Sequence, residues 1–170
     1  MAAAVCVALA LGSRPASIQN GIAQVAVPGG RCRVFVQSGR NIIDDSYNAN
    51  PASMDAAFET MAGLAGSNRR VAALGSMFEL GPDAPQLHYS VGEAAAKSGI
   101  EEVFALGPWA KDLAAGAKAG GARAYAFEEM EELSSKVCEA LDDGEWLLVK
   151  GSRGMRMERV LDALDTGMTD

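Results

Sequence analysis

Polar side chains are concentrated in one short segment of the sequence, between a hydrophobic run and a proline. Residues 44–51 read DDSYNANP, so carboxylates, a hydroxyl, a phenol and amides follow one another closely. A turn alone does not require so many polar groups, and the segment therefore indicates a ligand site. In the alternative interpretation, Asn50 or Ser53 caps the following helix and Asp44 holds the turn.

A second polar segment, KGSRGMR at residues 150–156, combines glycines, a hydroxyl and cationic side chains ahead of a predicted helix. Glycines let a backbone approach a ligand, and cations beside a helix N-terminus favour an anion or a carboxylate. The alternative is an ordinary turn with solvated arginines. The sequence has neither the GxxxxGK[ST] order of a P-loop nor a GxGxxG that opens a βαβ unit, which argues against a nicotinamide-dinucleotide site.

A third segment, LGSMFELG at residues 74–81, precedes the single histidine of the chain, His88. Glu79 stands between apolar neighbours, where a carboxylate either forms a local salt bridge or meets a ligand, and the sequence does not separate the two. His88 shares a predicted helix with Leu87 and Val91, which favours a structural histidine over a base. No triad can be assembled around it.

The elements that must position these segments alternate between strand and helix. Such alternation predicts βαβ crossovers and a mostly parallel sheet of about six strands, with an N-terminal hairpin and helices on both faces, preceded by a short helix pair. Ligands of such sheets bind beyond the carboxyl ends of the strands, so the three polar segments are expected at one edge. The predicted strands span residues 31–37, 41–45, 71–74, 100–106, 122–127 and 145–150. The predicted helices span residues 1–11, 15–25, 51–65, 87–98, 108–118, 128–142 and 155–164.

Composition limits the class of protein. The 170 residues are 49% hydrophobic and 22% charged, with a mean hydropathy of +0.05, which suffices for one folded domain. A net charge of -7 and a pI near 4.7 argue against a nucleic-acid partner. The apolar run 1–11 is too short for a bilayer of about 30 Å, so no membrane partner is expected. The widely spaced Cys6, Cys32 and Cys138 fit no disulfide framework or zinc motif and favour the reducing cytoplasm.

The Val27–Gly30 segment, VPGG, is the best candidate for a domain boundary, because the pattern changes there from a helix pair to strand and helix alternation. The chain opens directly on a core-type helix without a cap, which predicts that it begins further upstream. Residues 1–25 are also expected to expose apolar surface, through which copies of the chain could associate.

Three strings carry a resemblance to a known family: IIDDSYNANPASM (42–54), RRVAALGSMFELG (69–81) and LLVKGSRGMRMERV (147–160). They resemble the C-terminal part of the Mur ligases, in the branch that adds D-alanyl-D-alanine to UDP-N-acetylmuramoyl-tripeptide during peptidoglycan synthesis. The resemblance implies a Rossmann-like C-terminal domain over residues 29–170, preceded by remnant helices of the central ATPase domain over residues 1–28. It also implies an ATP-dependent ligase, in which ATP phosphorylates the tripeptide carboxylate and the dipeptide amine attacks the acyl phosphate.

The resemblance further implies roles for individual residues. Arg31 and Asp45 match the family's pair that reaches ATP, and they are the expected catalytic residues. The expected ATP-binding and substrate-binding residues fall into two groups, one on the adenine and dipeptide side and one around the dipeptide carboxylate. The first group is Tyr47, Asn48 and Asn50, and the second is Lys150, Ser152 and Arg153.

Two departures from the family pattern limit these expectations. Ser76 stands where the family usually has an acidic residue (LGDMxELG). The P-loop, the Mg²⁺-binding residues and the UDP-binding domain have no counterpart in this chain, so the metal site is expected outside it and the chain alone is not expected to catalyse. Two alternatives stay open: a stand-alone, non-catalytic binding module, or a related ligase with another amino-acid substrate. Folylpolyglutamate synthetases, which exemplify the latter, share the fold but not the SYNANP and KGSRGM strings.

Overall fold

The computed structural model describes residues 2–23 and 29–166. Within them, six strands form one sheet that has helices on both faces, which confirms the predicted Rossmann-like three-layer α/β class. The strands are β1 (Arg33–Gln37), β2 (Arg40–Asp45), β3 (Arg70–Gly75), β4 (Glu102–Leu106), β5 (Arg123–Phe127) and β6 (Trp146–Lys150). The helices are α1 (Ala2–Ala10), α2 (Pro15–Ala23), α3 (Pro51–Ala65), α4 (Ala84–Lys97), α5 (Ala110–Ala119), α6 (Met130–Ala140) and α7 (Arg159–Thr166).

The sheet has the strand order β1-β2-β6-β3-β4-β5. β1 and β2 form the predicted antiparallel hairpin, and the other neighbouring strands are parallel. The register pairs Asp45 at the end of β2 with Lys150 at the end of β6, and Lys150 in turn with Leu74 of β3. The carboxyl ends of three central strands therefore lie side by side.

Two apolar cores fill the layers above and below the sheet. Because side chains alternate along a strand, Leu148 of β6 contributes to the core beneath α3, α4 and α5, while Leu147 and Val149 contribute to the core beneath α6 and α7. The strands β3, β4 and β6 are buried almost throughout. Burial on both faces explains their continuous hydrophobic character and confirms the predicted covered sheet.

Small residues let two helices of the first layer approach each other closely. A Cβ atom at Gly92 of α4 would lie 2.0 Å from the carbonyl oxygen of Leu113, and one at Gly116 of α5 would lie 1.9 Å from the carbonyl oxygen of Tyr89. No side chain larger than hydrogen fits at either position. Gly92 and Gly116 thus allow the close α4–α5 contact.

Helix boundaries differ from the sequence expectation at several places. The last helix was expected from Met155, but a 3₁₀ turn spans Arg153–Met155 and Arg156 has a left-handed backbone, with φ 51° and ψ 47°. A left-handed residue interrupts the helical hydrogen-bond pattern, so α7 begins only at Arg159. α4 begins at Ala84 rather than 87, with Pro85 in its first turn, where a missing N–H costs no hydrogen bond.

The predicted helix pair at the start of the chain is present as α1 and α2. None of the side chains described between residues 3 and 22 is buried, and Val7, Leu9 and Leu11 are 59%, 52% and 79% exposed. Val25 and the first half of the proposed VPGG boundary, Val27 and Pro28, lie outside the described residues. No helix in the described ranges has the length and apolar content needed to cross a membrane.

Candidate functional site

The three polar segments meet at the carboxyl edge of the sheet, as expected. The loops after β2, β3 and β6 together enclose a groove of about 460 Å³. Its lining combines amides, a phenol, a carboxylate, a guanidinium and a phenyl ring. The lining residues are Tyr47, Asn48, Ala49, Asn50, Phe78, Glu79, Leu80, Ser152, Arg153 and Gly154.

An ion pair with a buried ammonium joins the ends of β2 and β6, from which two of the groove loops start. The Lys150 side chain is 2% exposed, and its ammonium contacts the Oδ2 atom of Asp45 and donates to the carbonyl oxygen of Asn48 at 2.9 Å. The other oxygen of Asp45 accepts the backbone N–H of Cys32 at 2.9 Å. Neither Asp45 nor Lys150 lines the groove. In this structure the pair therefore fixes the loop after β2 instead of facing the groove.

Two guanidinium groups lie near the ring of Tyr47. The Cζ atom of Arg31 is 4.1 Å from the ring centroid and that of Arg153 is 5.9 Å from it. Arg153 also donates to Glu158 at 2.9 Å. Cation–π contact holds a guanidinium flat against a ring and leaves its N–H groups available at the rim. Arg31, Tyr47 and Arg153 thus form a positively charged, aromatic surface that could receive an anion and a planar group.

Asn50 has the structural role that the alternative interpretation assigned to it. Its Oδ1 atom accepts the N–H of Ser53 at 2.9 Å, and the Ser53 hydroxyl accepts the N–H of Asn50 at 3.0 Å. This capping box starts α3. Asn50 still lines the groove, where Asn48 presents a second amide. Asn48 is therefore the less constrained of the two side chains.

Two buried serines fasten neighbouring loops together. The Ser152 hydroxyl accepts the N–H of Phe78 at 2.8 Å, which joins the loops after β6 and β3. Ser76, at the position where the resemblance leads one to expect an acid, donates to the carbonyl oxygen of Leu106 at 3.1 Å and accepts the N–H of Trp109 at 3.3 Å. Ser76 is 1% exposed, so this position serves the packing of β3 against β4.

Glu79 and His88 have opposite environments. Glu79 is exposed at the groove, has a φ of 63°, and forms no ion pair among the described residues. His88 is fully buried: its Nε2 atom accepts the N–H of Met77 at 2.8 Å, and its Nδ1 atom donates to the carbonyl oxygen of Ala84 at 2.6 Å. Burial lowers the pKa of His88 and keeps the ring neutral. His88 is thus the structural histidine that the sequence favoured.

Asp44 makes one long-range contact that the sequence did not indicate. It is 6% exposed, and its two oxygens accept the N–H of Gly30 at 2.9 Å and the N–H and hydroxyl of Ser46 at 3.2 and 2.6 Å. The bond to Ser46 is the turn expected from the sequence. The bond to Gly30 left no local signal, because that backbone group lies fourteen residues upstream.

The described residues offer no group of three or more His, Cys, Asp or Glu side chains that could hold a metal ion. Cys32, beside Asp45, is exposed, and desolvation together with the Asp45 charge raises the pKa of its thiol. A thiol with a raised pKa is a poor nucleophile at neutral pH. The chemistry of the site thus rests on guanidinium, amide and carboxylate groups.

Comparison with known families gives this geometry a context. The family model described as "Mur ligase, glutamate ligase domain" matches residues 30–153, which is most of the chain. The chain belongs to the Mur ligase family. The matched range contains both strand ends of the Asp45–Lys150 pair and reaches as far as Arg153.

Relatives of this Mur ligase domain extend the similarity over nearly the whole chain. The UDP-N-acetylmuramoyl-tripeptide--D-alanyl-D-alanine ligase of Escherichia coli (strain K12) is 33% identical over 168 residues, which is 98% of this chain and 36% of the relative. The enzyme of the same name from Treponema pallidum (strain Nichols) is 36% identical over 93% of this chain and 34% of its own length. This chain thus spans about a third of the curated relatives that it matches.

Solved structures agree with the fold. A crystal structure of MurF from Acinetobacter baumannii superposes with a TM-score of 0.85 and 30% identity, covering 96% of this chain and 36% of that one. MurF ligase from Thermotoga maritima, in complex with ADP, superposes with a TM-score of 0.80 at 24% identity, covering 95% and 36%. At that lower identity the likeness shows the fold alone.

Proposed function

We propose that this Mur ligase domain is the C-terminal, ligand-binding part of an ATP-dependent enzyme that joins D-alanyl-D-alanine to UDP-N-acetylmuramoyl-tripeptide. The proposal rests on one observation, the similarity to ligases of that name over 98% of the chain. The groove between three strand ends supports it, because the family strings form that groove. Since the chain spans only part of its relatives, the activity belongs to the longer protein, which we place in the cytoplasm.

In the proposed reaction, a carboxylate oxygen of the tripeptide attacks the γ-phosphorus of ATP, and ADP leaves. The dipeptide amine then attacks the acyl carbon, and phosphate departs as the amide bond forms. Phosphoryl transfer needs positioned cations rather than covalent help from the protein. Arg31 is the cation that this chain offers on the nucleotide side, and the ring of Tyr47 gives a surface on which adenine can stack. Mg²⁺ would be held by residues outside this chain.

Asp45 holds the backbone next to Arg31, on the proposed nucleotide side of the site. It orders the backbone of Cys32, next to Arg31, and it neutralises the buried Lys150 ammonium. The structure therefore favours a positioning role for Asp45 in the catalytic pair, with Arg31 as the group that meets phosphate.

The dipeptide side of the proposed site is the groove around Arg153. The Arg153 side chain is 63% exposed, and its fork of N–H groups suits a carboxylate. Lys150 and Ser152 are buried, so we assign them the task of holding the loops that carry Arg153 and Asn48. Asn48 and Asn50 offer amides to the dipeptide backbone from the opposite wall.

We further propose the domain division at residues 28 and 29, with α1 and α2 as helices of a preceding ATPase domain. The support is the exposed apolar surface of α1, which finds no burial within the described residues. Such surface is normally covered by another domain or another chain.

The dipeptide assignment is tested by saturation-transfer NMR on the 170-residue chain with D-alanyl-D-alanine and, as the stereochemical control, L-alanyl-L-alanine. We expect saturation transfer from the protein to D-alanyl-D-alanine, and weaker transfer to L-alanyl-L-alanine under the same conditions. Equal transfer to both would contradict the substrate assignment. Selective binding of another amino acid would favour the related-ligase alternative.

A further inference from the structure

The segment Gly30–Cys32 is bound to the end of β2 by three hydrogen bonds. The N–H of Gly30 donates to Asp44 at 2.9 Å, the N–H of Cys32 donates to Asp45 at 2.9 Å, and the N–H of Tyr47 donates to the carbonyl oxygen of Gly30 at 2.8 Å. We call these three bonds the clamp. Arg31 lies between the two clamped amides, so its backbone is fixed on both sides.

Within the clamp, Asp44 makes the contact on the upstream side of Arg31. The carboxylate is buried and accepts three donors, the amide of Gly30 and both donors of Ser46. A charged acceptor makes stronger hydrogen bonds to backbone amides than a neutral one. Asp44 thereby joins the start of the domain to the loop that carries Tyr47.

The backbone of Gly30 packs so closely against Ser46 and Tyr47 that the position requires a glycine. Gly30 has a φ of +74°, and a Cβ atom there would lie 2.9 Å from the Tyr47 nitrogen and 3.0 Å from the Ser46 hydroxyl. Only glycine combines this backbone angle with such a short approach. The segment cannot move closer or carry a side chain at this position without breaking the clamp.

The clamp holds the backbone of Arg31 next to the loop that carries Tyr47. An exposed arginine pays side-chain entropy to stay in one place, yet the Arg31 guanidinium lies 4.1 Å from the Tyr47 ring centroid. The Tyr47 amide is itself part of the clamp, so the cation and the ring are attached to the same hydrogen-bonded unit. Movement of the Gly30 backbone would separate them.

We propose that Asp44 is a positioning residue that places the Arg31 guanidinium against Tyr47 by holding the backbone of Gly30. Its link to nucleotide binding rests on the proposed function, in which Arg31 meets phosphate. Asp44 itself touches no ligand. It acts through the clamp, and its neighbour Asp45 repeats the same device at Cys32 while also pairing with Lys150.

The test compares Asp44→Asn with Ser46→Ala in the 170-residue chain. Asparagine keeps the shape of aspartate but has only one side-chain oxygen. Its NH₂ group must therefore face either the Gly30 N–H or the Ser46 N–H, and that hydrogen bond is lost. Ser46→Ala removes the hydroxyl bond to Asp44 and leaves the Gly30 bond intact. The readouts are the ring-current shift of the Arg31 side-chain protons and the hydrogen-exchange rate of the Tyr47 amide.

In Asp44→Asn we expect the Arg31 ring-current shift to vanish and the Tyr47 amide to exchange about tenfold faster or more, as for an opened local hydrogen bond. Amides of β3 should keep their wild-type rates, and Ser46→Ala should keep the Arg31 shift. An Asp44→Asn chain that retains the shift would overturn the proposal. If that variant does not fold, Gly30→Ala disrupts the clamp from the other side and must abolish the same shift.

Affinity for ADP separates this proposal from the proposed function. We expect Asp44→Asn and Arg31→Ala to weaken ADP binding by a similar factor, and the double variant to weaken it no further. Additive losses would contradict positioning through Arg31. A wild-type chain that does not bind ADP would overturn the nucleotide role, while the Arg31 shift would still decide whether Asp44 positions the side chain.

Discussion

The two edges of the sheet use charge in different ways. At the amino edge, Glu102 is 4% exposed and pairs with Arg69 and with Arg123, while Arg69 also donates to Glu145 at 2.7 Å. At the carboxyl edge, buried Lys150 pairs with half-buried Asp45, and the loops that follow form a groove lined by exposed Glu79 and Arg153. Each edge contains an ion pair with one buried partner, but only at the carboxyl edge do exposed Glu79 and Arg153 line a groove found among the described residues.

This difference shows which charges serve folding and which are available to a ligand. The amino-edge charges neutralise one another within the fold. At the carboxyl edge, the Asp45–Lys150 pair supports loops with two exposed charges: Glu79, which forms no ion pair among the described residues, and Arg153, which pairs with Glu158 at 2.9 Å. One oxygen of Glu158 is buried without a hydrogen-bond partner in the described part of the chain. Ligands of open α/β sheets bind at this same edge, because the strand-to-helix loops converge there.

The largest expected effect comes from breaking the buried pair at the carboxyl edge. Asp45→Ala leaves the Lys150 ammonium buried without its counter-charge, and we expect the free energy of unfolding to fall by about 3 kcal/mol. The measurement is urea denaturation followed by circular dichroism. The double variant Asp45→Ala/Lys150→Met should recover most of that loss, since a methionine of similar size needs no partner. Equal free energies of unfolding for Asp45→Ala and the wild type would show that the Asp45–Lys150 pair does not stabilise the fold.

A smaller loss is expected at the amino edge. In Glu102→Ala, Arg69 keeps Glu145 and the carbonyl oxygen of Ala140 as partners, and Arg123 is largely exposed, so the free energy of unfolding should fall by about 2 kcal/mol. ADP affinity should not change, because this edge is remote from the groove. An Asp45→Ala loss smaller than the Glu102→Ala loss would reverse the ranking of the two edges.

Protonation of His88 makes the free energy of unfolding depend on pH. Burial lowers the pKa of His88, so below about pH 6.5, the ordinary histidine value, the unfolded chain binds a proton that the folded chain does not. Folding stability from this group is complete above that pH and declines as the pH falls. We expect the stability advantage of the wild type over His88→Gln to narrow from pH 7 to pH 5. A gap that stays constant would contradict a neutral, buried His88.

The smallest effect on stability is expected for Arg153→Ala. The side chain is largely exposed, so the free energy of unfolding should change by about 0.5 kcal/mol or less. Affinity for D-alanyl-D-alanine should nevertheless fall about tenfold, as for one lost charged hydrogen bond, with ADP affinity changed less. Arg159→Ala is the matched control, because Arg159 is an exposed arginine that pairs with Glu131 away from the groove. Equal losses of dipeptide affinity in Arg153→Ala and Arg159→Ala would contradict the proposal that Arg153 binds the dipeptide.

Much of this organisation could be predicted from the sequence. Hydrophobic runs such as 71–74 and 145–150 identified the strands, and their alternation with helices placed the three polar segments at one edge. The capping role of Asn50 was foreseen as an alternative, because an asparagine before a proline and three residues before a serine is a local signal. Local signals of this kind lie within a few residues of the element that they start.

The remaining features depend on tertiary contacts. Lys150 follows a strand and was predicted to hold a ligand, but the β2–β6 register places it against Asp45 and buries it. The long-range partner of Asp44 is the backbone amide of Gly30, and since every residue except proline has such an amide, the residue type does not indicate the contact. The predicted start of α7 was wrong, because Arg156 has a left-handed backbone although it is not a glycine, and its residue type therefore does not indicate a break in the helix. Whether Arg153 binds a dipeptide, with Lys150 and Ser152 holding the loops around it, stays a prediction.

The most direct test of the division between the edges is a titration of the ¹⁵N-labelled chain with ADP, followed by amide chemical shifts. We predict shifts confined to the carboxyl edge, largest at Arg31, Tyr47 and Asn48, with the amides of Arg69, Glu102 and Arg123 unchanged. Shifts centred on the amino edge, or none at millimolar ADP, would contradict the assignment of the ligand site to the loops after β2, β3 and β6.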